Sequence, residues 1–199
     1  MIVMSRHLAS GATLLAALVL TIGDADARRF QAAGVQKDTE DLVQLLRSDK
    51  VDRAKVNALV TAMKTNHELV DIMKKVYKPT KSKGIGYDPA KKGPGVGIEK
   101  RLDELGTRKE LTKAELLAEK DLLLRSAYYN LAIYEVTKAF APARAVGGKK
   151  PMAWHRHNDE MKAGTEKAID AIEANDPKAL KKAMGRVNAG CNECHTEFR

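Results

Sequence analysis

The chain has 199 residues, 44% hydrophobic and 31% charged, with a net charge of +9; this suits one globular domain and excludes a chain disordered throughout. Aromatics are only 5% while Ala, Leu, Lys and Glu are prominent, which favours helices over a β-sandwich. The two cysteines, Cys191 and Cys194, stand three apart near the C-terminus, so a disulfide framework across the domain is excluded.

Arg6 and His7 precede an apolar run from Leu8 to Ile22 that closes on Ala25-Asp26-Ala27. The run is shorter than the roughly 20 residues a bilayer span needs, and small residues mark a cut site before Arg28. Residues 1–27 therefore read as a cleaved export signal, leaving no stable membrane span. Losing Arg6, Asp24 and Asp26 raises the net charge by one. Export makes nucleic acid a poor partner for that charge.

Residues 28–51 read as an N-terminal extension with a short helix over 38–47, capped by Asp38 or Thr39 and carrying Leu42, Leu45 and Leu46 at helical spacing. Residues 52–199 read as the bundle proper. Val56, Leu59, Val60, Met63, His67, Val70, Met73 and Tyr77 form one i, i+3, i+4 stripe, which predicts a single helix over 52–77 ending before Pro79.

From 78 to 98 five glycines and three prolines predict a long solvated loop. Nine Lys or Arg and only two acids lie between Lys74 and Arg101, so the surplus charge is local. Gly93-Pro94-Gly95-Val96-Gly97 suggests a phosphate cradle, but no strand precedes it. The loop is expected to steer an acidic partner rather than to support the fold.

A helix follows from Thr112, capped with Glu115 three residues on, to Phe140, where Tyr128, Tyr129 and Tyr134 read as core. The next begins at Pro151 and carries Trp154, His157, Met161, Ala168, Ile169 and Ile172. Asn175-Asp176-Pro177 ends it and starts the last, with Leu180, Met184, Val187, Cys191, Cys194 and Phe198 on one face. No segment has a strand period, so the fold class is all-α, an antiparallel four-helix bundle.

Cys191-Asn192-Glu193-Cys194-His195 has the C-x-x-C-H spacing of covalent c-type haem attachment. Two thiols must reach the two vinyl groups of one porphyrin edge, and the next residue must offer an imidazole to the iron. Positions three and four apart on a helix share a face. A zinc site would need two more ligands beyond the cysteines, and a thioredoxin-like couple would need a βαβ context. One covalent haem c, with His195 as axial ligand, is the expected cofactor.

Cys191 to Phe198-Arg199 resembles the end of the cytochrome c′ family, with looser similarity over 52–77 and 112–199. The resemblance implies a four-helix bundle with haem near the end of its last helix, and a Trp opening the third helix, here Trp154, in the haem site. It also implies electron transfer or binding of small gases (NO, CO) at a high-spin haem, and a homodimer.

Counting helical rise back from the bundle end, the iron is expected about 27 Å along the last helix. The same depth on helix 52–77 falls at Leu59, Val60 and Met63, and beside Trp154, His155 and His157 on the third helix. His67 lies too far along. The expected distal side is therefore apolar, formed by Leu59, Val60 and Met63, with iron held by His195 alone and carbon monoxide bound when ferrous. Met63 is the candidate second axial ligand, His157 a further one, and Arg199 a candidate partner for a haem propionate.

Three functions compete: an exported electron carrier with an acidic redox partner, a gas-binding haem protein, and a haem enzyme. An aliphatic distal helix lacks the polar acid/base pair a peroxidase needs, so no enzymatic role is expected.

Overall fold

A computed structural model describes residues 34–90, 95–108 and 110–198. The export signal expected at 1–27 lies outside them, as do Gly93, Pro94 and Arg199. The helices in chain order are α1 (Val35–Arg47), α2 (Arg53–Asn66), α3 (Leu69–Tyr77), α4 (Ile98–Thr107), α5 (Lys113–Ala118), α6 (Lys120–Ala139), α7 (Pro151–Glu173) and α8 (Pro177–Phe198), with a 3-10 turn at Thr80–Ser82. Among the described residues the only β pairing is the isolated bridge between Val146 and Lys149, and no helix is long and apolar enough to cross a membrane. The fold is an all-α helical bundle, as expected.

Several boundaries follow from local caps, and those at Thr112, Pro151 and Asp176 are the ones the sequence predicts. Asp52 accepts from the Ala54 and Lys55 amides at the start of α2, Thr112 and Glu115 form a reciprocal capping box, Pro151 opens α7, and Asp176 accepts from Ala179 N at 3.0 Å at the start of α8. α1 starts three residues before its expected cap, on Gly34, so Asp38 and Thr39 are buried inside the helix rather than capping it. Thr39 instead donates back to Val35 O at 2.7 Å. Leu42 and Val43 are buried to 0% and 1% exposure, each contributing about 1.5–3 kcal/mol. α1 packs on α6, α2 and α3 and shares the common core.

The largest departure is in the stripe over 52–77. It forms two helices, because His67 and Glu68 are both in extended conformation. His67 Nε2 lies 3.0 Å from Asp38 Oδ2 of α1, a tertiary contact that an isolated reading of the stripe does not contain. The chain turns there, so distances along α2 do not carry over to α3.

The Gly-rich connection is packed at 84–87, between exposed stretches at 80–83 and 89–90. Tyr87 is 7% exposed; its hydroxyl donates to Glu119 Oε2 at 2.6 Å, and Arg101 reaches both Glu119 oxygens at 2.8 and 2.6 Å. Arg125 donates to the Gly86 and Tyr87 carbonyls at 3.1 and 3.3 Å. A Cβ on Gly84 would run into the Lys78 carbonyl, and one on Gly97 into that of Tyr77; close backbone approach explains these two glycines. The connection thereby pins α4, which the sequence reading leaves unassigned, against α8.

Candidate functional site

α7 and α8 form the most extensive helix pair of the molecule. At its open end the α8 residues Cys191, Cys194, His195 and Phe198 line a cavity of about 670 Å³, within the roughly 300–1,000 Å³ typical of cofactor pockets. The neighbouring walls come from α7, α6, α3 and α4. Both cysteines are free thiols. Burial, with a smaller contribution from Cys194, pushes the Cys191 thiol up to about 12; burial also raises Cys194, with Glu197 adding to it. Both groups therefore stand as neutral thiols at pH 7, facing the same space.

Trp154 also lines the cavity. Its indole N–H donates to Thr137 O at 2.8 Å, and its ring meets Phe198 edge-on, centroids 5.2 Å apart at 77°. His157 lines the cavity with a ring 1% exposed, whereas His155 is exposed and outside it.

The α3 and α6 side is not apolar throughout. Tyr77 donates to Asn130 Oδ1 at 2.5 Å, Asn130 donates to Thr165 Oγ1 at 2.6 Å, and Thr165 donates to Met161 O at 2.7 Å. Burial raises the Tyr77 hydroxyl well above its ordinary value, with Cys191 and Glu99 adding to the shift. The cavity thus carries a satisfied, directional polar chain on its wall.

Leu59, Val60 and Met63 are buried at 0%, 7% and 0% exposure, but they do not line this cavity. α2 carries them against α1 and α6. The expected distal wall is corrected accordingly: the break at His67 hands that position to α3, and the methionines lining the cavity are Met73 and Met161. Met63 is a core residue and not placed to be a second axial ligand. His67 pairs with Asp38 at the break, away from the cavity. Met73 and Tyr77 belong to the same stripe, and the break at His67 brings them to the cavity. Glu99, Leu102 and Asp103 on α4 carried no signal.

Two thiols and an imidazole on one helical face, around a cavity with aromatic and polar walls, fit a haem attached at Cys191 and Cys194 with His195 toward the iron. The described residues include no group of three or more His, Cys, Asp or Glu suited to a metal ion.

The family model for cytochrome C′ matches residues 138–199, which span the end of α6 and all of α7 and α8. Over these residues the chain is cytochrome c′-like. No curated protein and no solved structure matches it. The cytochrome c′-like segment carries the thiols, His195, Trp154 and His157, and it supports a c-type haem protein. The walls from α3 and α4, and Asn130 and Thr137 of α6, lie outside the matched span.

Proposed function

We propose that this chain is an exported electron carrier that holds one haem through thioethers from Cys191 and Cys194, with His195 on the iron, and exchanges an electron with an acidic protein partner. The observation that carries the reading is the convergence of Cys191, Cys194 and His195, all three in the cytochrome c′-like segment, on one half-open cavity. When bound, the haem supplies the one-electron couple. The chain's own residues attach it, orient it and exclude water from it. Lys74, Lys78 and Lys100 line one side of the cavity together with Glu99 and Asp103; Lys78 pairs with Glu99 at 3.3 Å, and the small positive surplus favours approach of an acidic surface. No catalytic step is assigned to any side chain, in keeping with a family that is generally non-enzymatic.

A second reading, capture of nitric oxide or carbon monoxide, is favoured by the Tyr77–Asn130 pair, since polar groups beside a haem influence which small ligands it holds. Absorption spectra of the ferric and ferrous protein, with and without carbon monoxide, separate the two. Reversible one-electron titration with electron exchange to an acidic protein partner supports the carrier, whether or not the ferrous form takes up carbon monoxide. Tight carbon monoxide binding without electron exchange moves the chain to gas capture. Absence of haem from both thiols, in a host competent in attachment, overturns both.

A further inference from the structure

α7 comes close to α8 just before the attachment motif. A Cβ on Gly190 would stand 2.9 Å from the His157 carbonyl oxygen and 3.1 Å from Met161 N, so the two backbones meet there only because the residue is glycine. At this junction the His157 ring, 1% exposed, lies between two carboxylates of α8. Its Nδ1 is 3.1 Å from Glu193 Oε2 and its Nε2 is 3.4 Å from Glu197 Oε2. Those two residues stand two before and two after His195.

The ring is not saturated by these contacts. Arg156 Nη2 approaches Nε2 at 3.5 Å and Glu197 at 3.7 Å. The Glu193 approach is close but misaligned, so buried Nδ1 has no hydrogen-bond partner among the described residues. An unsatisfied buried polar atom is costly, since it has given up water without gaining a partner. An aliphatic side chain would fill the same space without that cost, so packing alone does not account for an imidazole here.

Resting on the haem reading above, we infer that His157 is a positioning residue for His195: its ring engages the turn of α8 on both sides of the iron ligand and fixes the direction in which that imidazole points. Trp154 against Phe198, one turn nearer the start of α7, holds the end of the same turn. α7 thus acts as a splint for the ligand-bearing end of α8. Outer groups that orient a metal-binding histidine commonly tune the metal as strongly as they stabilise the fold.

The test uses the full chain matured with haem and compares wild type, His157→Gln and His157→Leu by ferric electron paramagnetic resonance and by reduction potential. His157→Leu should change the resonance signal and shift the potential, because the ring seated against this turn of α8 is gone. His157→Gln, which keeps a polar donor, should return both toward wild type. The double variant Glu193→Gln with Glu197→Gln approaches the contact from the other side. Glu193 is 60% exposed, so this variant serves even where His157→Leu fails to fold, and it should also change the resonance signal. A lowered melting temperature with unchanged signal and potential overturns the inference, as does a glutamine variant no closer to wild type than leucine. A wild-type chain that takes up no haem overturns the haem reading itself.

Discussion

The two sides of the cavity are built differently. On the α7–α8 side, thiols, imidazole and Trp154 come from two consecutive helices joined by a short turn, and their positions follow from spacing on one helix and antiparallel packing on the next. On the α3–α4 side, the wall is assembled from a broken helix, a clasped loop and a short helix whose order depends on contacts many residues away. The thiols and the imidazole are therefore placed by local spacing, whereas the surface facing them is tertiary.

The most severe way to break this comparison is to remove the local side. Cys191→Ala with Cys194→Ala should abolish covalent haem entirely, read as an intact mass equal to the apoprotein after denaturation and acid extraction. Retained haem mass would refute attachment at these thiols.

Gly164→Leu probes the packing that sets the α7–α8 side. A Cβ at Gly164 would lie 2.8 Å from Val187 Cγ2 and 3.0 Å from Val187 N, and the larger side chain adds to that conflict. A loss of about 1–3 kcal/mol or more is expected in denaturant unfolding.

The tertiary side should respond more gently. Tyr87→Phe removes the hydroxyl that donates to Glu119 while Arg101 keeps Glu119 paired, so a loss of about 0.5–1.5 kcal/mol is expected. In contrast Lys81→Gln with Lys83→Gln, both exposed, should leave the melting temperature nearly unchanged and slow association with an acidic partner at low salt. A large stability loss from the lysine pair would place those residues in the packed part of the connection.

The smallest expected effect is a pH dependence at the helix break. Burial raises the Asp38 carboxyl above its usual 3.8, outweighing His67. Below that value the group is protonated in both folded and unfolded chains. As pH rises, the unfolded chain ionises more readily, so this group's contribution to stability is lost through the folded-state value. The melting temperature of Asp38→Asn relative to wild type should accordingly rise between pH 4 and pH 7; a constant difference would show that Asp38 is not the group responsible.

How much was legible follows the same division. The C-x-x-C-H spacing, Pro151, Asp176-Pro177 and the Thr112–Glu115 box each act through neighbours within four residues, and the helices they bound are legible in the sequence, except that the one expected over 112–140 breaks at Glu119 into α5 and α6. His67 looked like one more residue on a regular stripe, because the buried carboxylate that meets it lies 29 positions away. Tyr87 looked like part of a solvated loop, since nothing in 78–98 announces Glu119 or Arg125 as its partners. A register count assumes a continuous axis, and the bend between α2 and α3 removed that assumption for Leu59, Val60 and Met63.

Gly106, Gly164 and Gly190 each bring another backbone against α8 or α8 against another backbone, within its stretch from Ala183 to Gly190. A helix seated this closely on two neighbours cannot turn about its own axis. Slipping by one residue would rotate each side chain by about 100°, carrying the thiols off the cavity. The glycines thus act as a key in a shaft, setting the angular position of a reactive end that lies beyond them.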